Sequence, residues 1–208
     1  MRTDLVLGCV TAALGCACIH LLRRQRQREA QLLAAVRTLA RYNAWTNEVM
    51  LESVEKLPSD EVTKPRTTLF KSLVHTLNHN LVIEDIFRAH LTKRSHTYKM
   101  RNTQTPPALQ ALHTSQRAMD AWLIEWADSI SYDELFARRH FTFVGDSEPR
   151  GDMTAFEMLV HIVNHTTYHR GWVVQMLMER GNVVPATTTD LPVYTRDVGR
   201  VSPEQATC

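Results

Sequence analysis

The chain has 208 residues, a formal charge of +2, 44% hydrophobic residues and 22% charged ones. That length and balance fit one globular domain with a real core and exclude a disordered or fibrous chain. Acids nearly match bases, so the charge footprint of a dedicated nucleic-acid binder is missing.

Residues 5–22 form an apolar run without a charged residue, and the basic stretch RRQRQR follows at residues 23–28. About 20 apolar residues are needed to cross a bilayer, so the run sits at the lower limit. It reads either as a membrane anchor, whose basic flank keeps the following domain on the cytoplasmic side, or as an added N-terminal helix or start-site extension. A cleaved signal peptide fits worse, because the basic cluster comes after the apolar run. The four cysteines are Cys9, Cys16, Cys18 and Cys208. None lies in the body of the chain, which argues against a disulfide framework or a cysteine-pair zinc site and favours a reducing compartment.

From about residue 29 to 56, Leu32, Val36, Leu39, Met50 and Val54 recur at helical spacing. Pro58-Ser59-Asp60 ends that pattern, and a second helix is predicted over residues 69–91. Residues 92–107 are polar, and Pro106-Pro107 introduces a third helix over 108–126. Residues 139–151 alternate and then turn, which predicts a small β-hairpin or an irregular crossover. Thr154-Ala155-Phe156-Glu157 is a capping box opening a fourth long helix, expected to end near Gly181. The Pro- and Thr-rich tail reads as loop. The chain therefore divides into a leader (1–28), an all-α four-helix bundle (29–181) and a C-terminal tail (182–208).

Ten histidines are the chemical lead, with His75, His79, His161, His165 and His169 forming three pairs four residues apart. Such pairs share a helix face, so both imidazoles can reach one ion. Helical phase separates them further. At 100° per residue, His165 and His169 fall within the apolar stripe of Met158, Ile162, Trp172 and Met176, while His161 lies about 40° to its rim. On the second helix His79 shares its face with Ile83 and Ile86, and His75 is again offset by about 40°. A buried imidazole must find a hydrogen-bond partner or a metal. Three converging from two helices make a metal economical, and three neutral nitrogens suit Zn, Ni, Cu or Fe with positions left open. The plainer alternative is core histidines paired with Asn78, Asn164, Thr166 or backbone.

Zinc-protease chemistry does not fit, since HExxH needs a glutamate where Thr76, Ile162 and Thr166 stand. Glu84 and Asp85 lie about 140° and 120° away from His79, facing solvent or a neighbouring helix. Tyr168 and Arg170 flank His169, where they either contact substrate or, the better fit, make hydrogen bonds along the helix surface. No Ser-His-Asp or Cys-His arrangement is found, nor a glycine loop that would cradle phosphate.

Residues 42–47 (YNAWTN), 72–82 (SLVHTLNHNLV) and 164–171 (NHTTYHRG) together resemble the DinB family, in the broader group that includes YfiT-like proteins. The resemblance covers about residues 30–195 in the expected order. It implies a four-helix bundle with a long crossover, a divalent metal (Zn or Ni) on His79, His165 and His169, and homodimers formed by helix packing. It further implies a metal-dependent enzyme acting on a small molecule, a thiol transferase using a low-molecular-weight thiol cosubstrate or else a hydrolase. The catalytic residues stay unassigned. Trp172 stands where the family has Gln, beside the histidine face, where an indole reshapes or closes a pocket. The rival reading is a non-catalytic bundle that binds metal or a small apolar ligand, with membrane association through residues 5–22. Near-neutral charge argues against nucleic acid as a partner.

Overall fold

A computed structural model describes residues 2–179, 188–202 and 204, with side chains from residue 16 onward. Its elements are α1 (Arg2–Glu55), α2 (Ser59–Thr63), α3 (Leu73–Leu91), α4 (Leu109–Ser129), α5 (Tyr132–Phe136), β1 (Arg138–Phe141), β2 (Gly151–Thr154), α6 (Ala155–Met178) and α7 (Leu191–Asp197). Helices α1, α3, α4 and α6 make the bundle, with α1 and α3 each packed against both α4 and α6.

Side-chain contacts fix the directions. Asp128 meets Arg41 and Arg37, whereas His113, fifteen residues earlier on α4, meets Glu48 and Glu55, so α1 and α4 are antiparallel. His79 meets His165, and Phe87 meets His161, so α3 and α6 are antiparallel as well. The polar segment after α3 runs back along it: Tyr98 donates to Asp85, the Arg101 carbonyl meets His79, and the Thr103 carbonyl meets His75. This is the long crossover. It returns the chain to the start of α3, so that α4 runs parallel to α3.

The core has two apolar halves. One gathers Val36, Ile83, Ile86, Leu123, Met158 and Ile162; the other gathers Met50, Leu73, Leu77, Leu112, Val173 and Met176. Between them lies a polar layer of Asn43, Asn47, Glu84, Gln116, Asp120, Thr166 and Arg170, all buried. Truncating a fully enclosed leucine such as Leu73 or Leu112 costs about 2–5 kcal/mol.

Several expectations are refined by local chemistry. Helix α3 begins at Leu73, with the Ser72 side chain accepting from the His75 N–H, so Leu69 and Phe70 precede the helix. The capping box forms: Thr154 accepts from the Glu157 N–H, and Glu157 accepts from the Thr154 N–H. The hairpin is a two-stranded antiparallel sheet pairing Phe141 with Gly151. A β-carbon at Gly151 would lie 2.3 Å from the Phe141 ring, so glycine makes room for that ring. The tail is not all loop, because residues 191–197 form α7, with Pro192 in its first turn and Tyr194 buried against Tyr42 and Trp45. The expected helix end at Gly181 lies outside the described residues. Among the described residues no helix is long and apolar enough to cross a membrane. The side chains of residues 1–15, most of the apolar leader, lie outside the description.

Candidate metal centre

The site forms where α3 and α6 face each other. Their antiparallel packing brings His79 opposite the i,i+4 pair His165 and His169. One ring nitrogen from each of the three lies within 4.8 Å of the others. His79 Nε2 is 3.1 Å from His165 Nε2. Two imidazole nitrogens bound tetrahedrally to one zinc at about 2.0–2.1 Å sit roughly 3.3 Å apart, close to that spacing.

The orientation of His79 is set from behind. Its Nδ1 is 2.5 Å from the Arg101 carbonyl, which can only accept, so Nδ1 carries the proton and Nε2 turns its lone pair toward the other histidines. A metal-binding histidine typically has such a support, with the second ring N–H given to a carbonyl or carboxylate. Phe70 stacks on the other side of His79 at 4.1 Å between ring centres. His165 and His169 each bury an Nδ1 without a hydrogen-bond partner. Of the expected core partners, Asn78 bonds Asn102 and Thr103, Thr166 bonds Asn43 and Asn164 is exposed, while the backbone option is met at His79. Three neutral ring nitrogens converging on one point fit a divalent ion better than a closed hydrogen-bond network.

Electrostatics keep these rings in the ligating form. Burial, then the neighbouring His169 and His79, pushes His165 down to about 3. Burial and then His79 bring His169 to about 4. His79 is also lowered, chiefly by burial, with its bond to the Arg101 carbonyl opposing. All three are therefore neutral at pH 7.

The other histidines separate from the triad. His75 turns away to the Thr103 carbonyl at 3.0 Å. His161 packs on Phe87, 4.4 Å between ring centres, and is left at the side of the site. A cavity of about 540 Å³ opens over the triad, walled by Ile83, Ile86, Phe87, Phe141, Phe143 and Val144. Trp172, Tyr168 and Phe70 complete an aromatic wall, with the indole 4.8 Å from the His169 ring. Trp172 thus lines the pocket and does not close it. Among the described residues lining this cavity there is no carboxylate.

Glu84, placed by helical phase toward solvent or a neighbouring helix, and Arg170, assigned to the helix surface, belong to the buried polar layer. Glu84 accepts from Asn43 at 2.8 Å and from Gln116 at 2.5 Å. Asp120 accepts from Asn47 at 2.9 Å. Arg170 donates to Asn47 at 3.1 Å and to Thr167 at 2.8 Å. Burial raises both carboxyls above their ordinary range, and the nearby Arg170 guanidinium opposes that shift. This layer holds the helices in register behind the site. The signal that could have found Arg170 was its shared phase with Val163, two turns before it, and with Thr166 and Val173, one turn to either side.

The family model for the DinB family matches residues 28–198. Protein DinB of Bacillus subtilis (strain 168) is 26% identical over 172 residues, which cover 75% of this chain and 91% of that protein. The fold also matches the crystal structure of a DinB-like protein from Bacillus cereus ATCC 10987, with a TM-score of 0.50 and 14% identity over 69% of this chain and 93% of that one. With its histidine cluster, its crossover and a family match from α1 through α7, the chain belongs to the DinB family.

Proposed function

We propose that His79, His165 and His169 hold one divalent ion, zinc or nickel, and that the protein uses it on a small molecule bound in the adjoining pocket. Thiol transfer is the leading reaction and hydrolysis the second. The observation that carries this reading is the convergence of three neutral imidazoles, one of them fixed from behind by the Arg101 carbonyl. A divalent ion with an open position acidifies a water or thiol and so supplies a nucleophile at neutral pH.

The chain's own residues do the rest. The Arg101 carbonyl holds the His79 tautomer, and burial keeps the three rings free of competing protons. The Phe70, Phe87, Phe141 and Trp172 rings exclude water and favour an apolar or aromatic substrate body. His161 lines the same cavity and, kept neutral by burial, is placed to accept a proton there.

The lack of a carboxylate among the described residues of the pocket lining favours a second reading, a bundle that binds metal and a small apolar ligand without turning it over. Zinc- or nickel-loaded protein mixed with cysteine and a small aryl electrophile separates the two. The enzyme reading expects thioether formation that requires metal and is lost in His165→Ala. Binding of metal and electrophile with no turnover across several thiols would leave the non-catalytic reading standing.

A further inference from the structure

A second concavity, about 780 Å³, lies between the segment after α3 and the β-hairpin. Among the described residues, its lining sets Lys93, Arg94, Lys99, Arg138 and Arg139 against a single acid, Asp146. Exposed lysines and arginines alone would be a solvated surface. Arg139 is different. Strand alternation in β1 leaves Arg138 and His140 exposed and turns Arg139 inward with Phe141, on the side of α3. Arg139 is only 8% exposed, and its Nε has no hydrogen-bond partner. The nearby carboxylate of Asp152 is taken by Arg138, in bonds of 2.7–2.9 Å. In the same wall, His96 buries an Nδ1 that also lacks a partner.

Buried charges in proteins are paired, because an uncompensated one is strongly destabilising. A guanidinium buried without a carboxylate, facing a basic cleft, calls for an anion from outside. Its planar fork suits an oxyanion that accepts two parallel hydrogen bonds. The cleft and the histidine pocket share His90, Phe141, Phe143 and Val144, so a ligand anchored here can extend an apolar body toward the triad.

We propose that this cleft binds a compact oxyanion, a phosphoryl group in the first instance, with Arg139 as its buried anchor and Lys93, Arg94 and Lys99 as its rim. The site stands apart from the metal reading, since none of its basic residues belongs to the triad. The test uses the full chain at fixed ionic strength in buffer free of phosphate and sulfate, titrated calorimetrically with inorganic phosphate and with phenyl phosphate. Wild-type protein should bind saturably near one per chain, and Arg139→Met should weaken binding roughly tenfold or more, the worth of a charge-assisted pair. Without anion, Arg139→Met should melt no lower than wild type, because it removes an unpaired buried charge; added phosphate should reverse that order. If Arg139→Met does not fold, Arg94→Gln/Lys99→Gln, altered only at exposed positions, must still weaken phosphate binding several-fold. Tighter binding of phenyl phosphate would identify an organic phosphate as the ligand, and equal binding free phosphate; either supports the site. No saturable binding, binding unchanged in the variants, or binding of duplex DNA alone would overturn it.

Discussion

Two polar regions are buried in this bundle, and they are built in opposite ways. In the layer between the core halves, both oxygens of Glu84 accept hydrogen bonds, and Arg170 offsets the acids from the facing helix. At the histidine cluster, two ring nitrogens lack partners and the group opens onto a cavity. The first arrangement is bonded largely within the chain, with the Nε of Arg170 left without a partner. The second is left incomplete by the chain and is the one that fits a ligand. Neither burial nor a single unpaired nitrogen by itself marks a site; the convergence of three ligating nitrogens beside a cavity does.

Breaking the first region should have the largest effect. Arg170→Ala removes the cation that faces Glu84 and Asp120, and it should cost about 3–5 kcal/mol in denaturant unfolding. The contrasting change, His165→Leu in metal-free protein, removes an unsatisfied polar atom and should shift stability by only about 1 kcal/mol. Similar large losses in both would erase the distinction drawn between the regions.

The neighbouring His90 sharpens the comparison through pH. Burial, with a contribution from His96, pushes it down to about 4. A depressed folded value means that the unfolded chain takes up the proton first, so the stability from a neutral His90 is complete above about 6.5 and is lost as pH falls toward 4. His90→Phe keeps a ring against Phe141, stacked at 4.4 Å, but cannot titrate. The melting temperature of wild type should therefore fall relative to His90→Phe between pH 7 and pH 4; a constant difference would contradict this. The smallest effect is expected at His161, beside the triad but outside it. His161→Ala should leave metal content unchanged, and a loss equal to that of His165→Ala would redraw the ligand set.

Much of this was legible in the sequence, for identifiable reasons. His165 and His169 lie on one stripe of α6 with Met158 and Met176, so phase alone placed them inward and set His161 at the rim. The Thr154 capping box and the alternation near Arg139 are local signals, and both elements formed. Glu84 was harder, because α3 is buried on nearly every side and a single-face reading does not apply to such a helix. The partners of Arg170 lie more than 120 residues away on α1, at Asn43 and Asn47, where no spacing rule reaches. Helix α7 carried a signal in Asp190-Leu191-Pro192, a cap position followed by proline in the first turn, which the Thr-rich composition around it obscured.

The central claim is that the histidine cluster is a metal centre. Elemental analysis of the full-length chain, purified without a histidine tag beside His79→Ala/His165→Ala, tests it most directly. About one zinc or nickel per wild-type chain and none in the folded variant is the predicted result. Wild-type protein that is folded yet takes up no divalent metal, even after incubation with zinc or nickel, would reduce the three histidines to core residues.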